Sequence, residues 1–145
     1  MPTIIPPASV QNLQQVEAYV SGPDTANRLL TISGQFDAVT SVVGSANTSE
    51  QSSTTFSVLI GPVLTHNQFF KAIATGSITN ISFDNEGTTP FFTNWNITSI
   101  DADWDDESGQ VELTIEVFLK AYGANNNTIL GGLNFQVTIL YMAAA

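Results

Sequence analysis

From Leu29 onward, apolar and polar side chains take turns along the chain. Leu30, Ile32, Gly34, Phe36 and Ala38 alternate with Thr31, Ser33, Gln35 and Asp37, the period-two signature of a half-buried strand. Val39, Val42 and Val43 break that phase, which predicts a bulge or a strand end near residue 39. Phe56, Val58 and Ile60 alternate again until Gly61-Pro62 stops them, and Thr79, Ile81 and Phe83 form a further short run. Leu133, Phe135, Val137, Ile139 and Tyr141 give a last strand. Its opposite face also turns apolar at Leu140 and Met142, which predicts a central strand or one that forms an interface.

The clearest local signal lies between Ile97 and Leu119. Ile100, Ala102 and Trp104 alternate on one run, and Val111, Leu113, Ile115, Val117 and Leu119 on the next. The intervening Asp105–Gln110 segment carries Gly109, suited to a left-handed position in a bulged hairpin loop. Matching the apolar faces sets the register: Trp104 opposite Val111, Ala102 opposite Leu113 and Ile100 opposite Ile115. A slip of one residue would turn one apolar set to water.

Other segments are two-way. Val10–Val20 reads either as a short helix capped by Ser9, with Leu13, Val16 and Val20 on one face, or as a strand. Thr65–Gln68 has the form of a capping box, so Phe69–Ile73 reads as a short helix or a strand. Gly44–Thr54, Asp84–Pro90 and Tyr122–Asn127 read as loops, and Ser21–Asp24 as a turn. Six to eight strands with at most one or two short helices predict an all-β fold, a two-sheet antiparallel β-sandwich of jelly-roll-like form. Residues 1–9, with three prolines and the Ile4-Ile5 pair, read as an extended Pro-rich N-terminal arm, and residues 10–145 as a single β-sandwich domain.

Composition narrows the role. Of 145 residues only 11% are charged, and 3 Lys+Arg against 13 Asp+Glu leave a net charge of −10. Backbone phosphates are neutralised by Lys and Arg, so nucleic acid is excluded as a partner, and anionic membrane surfaces are disfavoured on the same ground. With no Cys there is neither a disulfide nor a thiolate nucleophile. No apolar run is long enough to span a bilayer, and the N-terminus shows no signal peptide. An extracellular appendage or a virion is the favoured location.

More than half of the acids fall on the hairpin: Asp101, Asp103, Asp105, Asp106, Glu107, Glu112 and Glu116. The spacing echoes a calcium loop but puts Asp106 where an EF-hand needs Gly, on strand flanks instead of helices. Asp103 would face Glu112, and opposed like charges are destabilising. Asp103, Asp105, Asp106, Glu107 and Glu112 are therefore the candidate Ca2+ ligands, against the alternative of a solvated, strand-blocking tip. No other cofactor is indicated.

Catalysis lacks a set of residues. His66 is the single histidine; zinc chemistry normally needs several His or Cys ligands, and the clustered acids lack the apolar surroundings that tune glycosidase carboxylates. The expectation is a protein that is not an enzyme. It would be a structural subunit of a self-assembling homo-oligomer or filament, its partners copies of itself. Ile4 and Ile5 on the arm, with Leu133, Phe135, Leu140 and Met142 on the last strand, are the candidate assembly interface. The alternative is a lectin-like module binding glycans through Asn-, Asp- and Thr-rich loops beside Trp95, Trp104, Tyr122 or Phe91-Phe92. Four glycosylation sequons stand at Asn47, Asn80, Asn96 and Asn126.

Overall fold

A computed structural model describes residues 2–19, 27–85 and 91–143. The expected turn at Ser21–Asp24 and most of the Asp84–Pro90 loop lie outside those residues. The described residues form eight strands: β1 (Thr3–Ile4), β2 (Gln11–Tyr19), β3 (Asn27–Val43), β4 (Ser49–Ile60), β5 (Phe69–Asn85), β6 (Phe92–Trp104), β7 (Val111–Tyr122) and β8 (Asn126–Met142). The described residues contain no α-helix, only one turn of 3-10 helix at Pro7–Ser9. The strands form two four-stranded sheets, β1-β4-β7-β6 and β2-β3-β8-β5. All pairings are antiparallel except β1 with β4. Chain order alternates between the sheets except at β2–β3 and β6–β7, so β3 with β8 and β4 with β7 run as one folded ribbon. That is a jelly-roll-like sandwich.

Both two-way segments resolve as strand. Gln68 Oε1 does accept from the Thr65 backbone N–H at 2.9 Å, so the capping contact forms. A single turn follows, and the chain then extends into β5, because β8 needs a partner along its whole length and pairing with it outweighs local helix preference. Ser49–Thr54, expected as loop, is the first half of β4. It pairs in unbroken register with β7, from Ser49 opposite Tyr122 to Ile60 opposite Val111. Polar Ser and Thr suit strand geometry when the neighbour supplies the ladder.

The hairpin register is the one the apolar faces dictate: Trp104 with Val111, Ala102 with Leu113, Ile100 with Ile115 and Asp103 with Glu112. Gly109 has φ +76°, and a Cβ there would also crowd Val63 Cγ1 at 3.0 Å. In β3 the register shifts between Asp37 and Thr40, which is the bulge expected near residue 39. β8 is central, with β3 on one side and β5 on the other. Its inward side chains Leu130, Leu133, Phe135, Val137 and Ile139 meet Leu113, Ile115, Val117 and Leu119 of β7 in one core. Deleting a single such side chain would cost about 2–5 kcal/mol.

Candidate functional site

The acidic hairpin is stapled to the β4–β5 connection. Leu64 N–H donates to Gly109 O at 2.8 Å. Trp104 Nε1–H reaches both Leu64 O and Gly109 O at 3.1 Å. Gln110 Nε2–H donates to Gly61 O at 2.8 Å. Trp104 is thus half-buried, its ring on the core and its indole N–H spent on two carbonyls. Asp105 is consumed by its own loop: its Oδ2 accepts from Ser108 Oγ at 2.6 Å and from the Ser108 backbone N–H at 3.0 Å. The Ser108 hydroxyl and amide hold the Asp105 carboxyl below its ordinary range. Asp103 Oδ1 accepts from the Trp104 backbone N–H at 2.8 Å.

Asp105, Glu107 and Glu112 border a pocket of about 220 Å³ beside Ile4 and Ile5 of the arm. Among the described residues no three Asp, Glu, His or Cys side chains converge to hold a metal ion. Two of the acids, Asp103 and Asp106, instead share an open groove of about 570 Å³ with His66, Phe69, Phe70 and Trp104. His66 packs edge-on against Trp104 with ring centroids 5.2 Å apart. His66, Asp103 and Asp106 are all exposed, and no Ser, Thr or Cys lines the groove. It offers an aromatic wall, an imidazole and two carboxylates. Alternation alone does not pair His66 with Trp104, since 37 residues separate them along the chain.

The candidate assembly residues divide. Ile5, Leu133 and Phe135 are buried in the chain's own core. The arm lies on its own sandwich: β1 pairs with Phe56 and Ser57 of β4, and Ile5 N–H donates to Ser57 O at 2.7 Å. The physical reason is that Ile5 completes the core at the edge of the short sheet, where β4 would otherwise be uncovered. Ile4 alone of the arm pair faces solvent, at 75% exposure. Leu140 and Met142 are half-buried on β8.

Some of the exposed apolar side chains lie together on the outer face of the other sheet. Register aligns Ala18, Leu29, Leu140 and Lys71 in one row across the β2-β3-β8-β5 sheet, and Val16, Thr31, Thr138 and Ile73 in the next. Odd-numbered neighbours on β2 face the other way, with Glu17 opposite Leu30. Val16 is 70% and Ile73 59% exposed, and an apolar groove of about 270 Å³ runs among Leu29, Lys71, Ile73, Thr138 and Leu140. Further along the same outer face the rows become Gln14, Ser33, Gln136, Thr75 and then Gln35, Asn134, Ser77, which border an uncharged trough of about 480 Å³. The outer face thus changes from apolar to amide- and hydroxyl-rich within two rows.

One sequon is structural. Asn126 is fully buried and its Nδ2 donates to Phe92 O at 2.9 Å, Tyr122 O at 3.1 Å and Thr93 Oγ1 at 3.2 Å. It ties the start of β6 to the end of β7 from the first residue of β8. Asn47, Asn80 and Asn96 are exposed. Among the described residues no helix is long and apolar enough to cross a membrane. Comparison of the chain with family models, with curated proteins and with solved structures gives no match.

Proposed function

We propose that the chain is a non-enzymatic structural subunit that self-assembles into a homo-oligomer or filament, as appendage and virion components do. The observation that carries this reading is the apolar stripe of Val16, Leu29, Ile73 and Leu140 across the outer face of one sheet, reaching an edge strand that is exposed throughout. A contiguous apolar patch on a soluble domain marks a contact surface. Few Lys and Arg side chains lie on the surface, so little side-chain freedom is lost when it is covered. Negative-stain microscopy of the purified chain tests the reading: rings, fibres or discrete oligomers support it, and isolated small particles at every concentration oppose it.

A second reading, a carbohydrate-binding module, is supported by a different feature. The uncharged trough bordered by Gln14, Ser33, Gln35, Asn134 and Gln136 presents amides and hydroxyls suited to sugar hydroxyls. A glycan array tests it, and silence across neutral glycans would remove it.

A further inference from the structure

The sandwich has four strand edges, and they are not equally protected. In one sheet β1 covers the β4 edge at Phe56 and Ser57, with Ile5 N–H continuing the pairing onto Ser57 O, and the uncovered first half of β4 carries the charge of Glu50. On the opposite side β5 and β6 are the outermost strands of the two sheets and pack against each other. β5 is interrupted by three register shifts, and β6 by one shift at Ile97–Ser99 together with Asp101 and Asp103. Bulges, charges and covering segments are the devices that stop one edge from pairing with another chain. β2 has a bulge between Gln11 and Gln14 at its start, where Asn12 has φ 53°, and one charge, Glu17. From Gln14 to Tyr19 it pairs with β3 without a break, and it carries no Pro, Lys or Arg.

We infer that this edge pairs antiparallel with the β2 of a second copy, Val16 facing Val16 across a two-fold axis. The inference rests on the assembly reading above and names its interface. A two-fold axis normal to the sheet keeps outer faces outer, so residue numbers opposite each other must sum to an even value. Within Gln14–Tyr19, registers centred on Val16 or Glu17 pair five residues of each strand, and those centred on Gln15 or Ala18 pair only three. Centring on Glu17 sets two carboxylates against each other, which is destabilising. Centring on Val16 sets Val16 against Val16, Gln14 against Ala18 and Gln15 against Glu17. That last pair, repeated by symmetry, places an amide donor on each carboxylate.

The same register has two further consequences. It joins two four-stranded sheets into one eight-stranded sheet, in which the Val16 row runs from Ile73 of one copy to Ile73 of the other and the Ala18 row of each copy meets the Gln14 row of its partner. It also accounts for how β2 is held on its inner side: Tyr141 donates to Glu17 Oε1 and the Arg28 guanidinium sits 4.1 Å above the Tyr19 ring, fixing those side chains before a partner arrives. A second copy is favoured over a basic partner because the edge itself carries a single charge, Glu17, which the symmetric register already matches.

Sedimentation equilibrium on the full chain tests the register through variants of opposite sign. Gln15→Glu sets like charges opposite each other twice per dimer and should weaken the dimer about 3–30-fold. Gln15→Lys sets opposite charges there and should tighten it by a similar factor. Val16→Lys puts two ammonium groups on the axis and should leave a monomer. Circular dichroism melts confirm that each variant is folded, and since residue 15 is exposed on an edge, the two Gln15 substitutions leave the fold in place. An assembling wild type whose constant is unmoved by all three variants overturns the β2 interface while leaving self-assembly standing. A wild type that stays monomeric at millimolar concentration overturns both.

Discussion

Asn126 gives the sharpest test of how the sandwich corner is held. Its side chain is wholly buried and donates to Phe92 O, Tyr122 O and Thr93 Oγ1, while its Oδ1 has no hydrogen-bond partner. In Asn126→Ala the two amide N–H donors shared among three acceptors vanish, each contributing about 0.5–1.5 kcal/mol, and two backbone carbonyls lose a donor in a dry site. Removing the orphaned Oδ1 offsets about 1 kcal/mol of this, and the cavity left behind returns a comparable loss. The net expectation is a destabilisation of about 2–4 kcal/mol, a large share of the ~5–15 kcal/mol typical of a domain. For a chain of this size that corresponds to a fall in Tm of roughly 6–12 °C.

Asn126→Asp keeps the shape but replaces the donors with a carboxylate facing two carbonyl oxygens. Burial raises that carboxyl above its unfolded value of about 3.9. The unfolded state then ionises first, so the variant loses stability as pH rises from about 4 toward 7. Urea unfolding followed by Trp fluorescence at pH 4.5 and pH 7 measures both effects. An alanine variant within about 1 kcal/mol of wild type, or an aspartate variant with the same pH dependence as wild type, would refute the reasoning.

Gly44→Ala should cost about 2 kcal/mol or more, read as a lowered urea midpoint, because the added Cβ would sit 2.6 Å from Gly123 O, a backbone atom that cannot swing aside. In the hairpin loop, Asp105 is held ionised by Ser108, so its contribution is present above the unfolded value of 3.8 and is lost as pH falls through the lower folded value. The Ser108 amide resonance should therefore titrate with a midpoint below 3.8, and a midpoint at or above it would contradict the Asp105–Ser108 contact. Burial first, and then the bond to Glu17, push the Tyr141 phenol up to about 12. Any stability it confers is flat below pH 10 and declines between 10 and 12, and ultraviolet titration should show one late tyrosine that Tyr141→Phe abolishes.

The parts of the fold legible in the sequence are those where one face is wholly dry. β6 and β7 could be registered from alternation alone, because Val111 through Leu119 tolerate no slip. The phase break in β3 allowed a bulge or a strand end and is a bulge, and the two-faced apolar end of β8 allowed a central or an interface strand and belongs to a central one. β2 and β5 were ambiguous because an edge strand needs no dry face, and apolar residues at 69, 72 and 73 fit a helix as well as a strand. Ser49–Thr54 carried no alternation because β7, not its own pattern, makes it a strand. The candidate surfaces were less legible still. Ile5, Leu133 and Phe135 look the same in sequence whether an apolar side chain covers its own core or a neighbour's. Leu140 lies beside the stripe, but Val16, Leu29 and Ile73 come together only through a strand order that alternation does not encode. Asn126 resembled a glycosylation acceptor because a buried amide and an exposed one have the same letter.

Light scattering coupled to size exclusion measures whether the chain covers its exposed strand edge and apolar stripe with copies of itself. Self-assembly gives a mass of at least twice the 15.5 kDa of one chain, rising with concentration. A constant 15.5 kDa from micromolar to millimolar protein would contradict it.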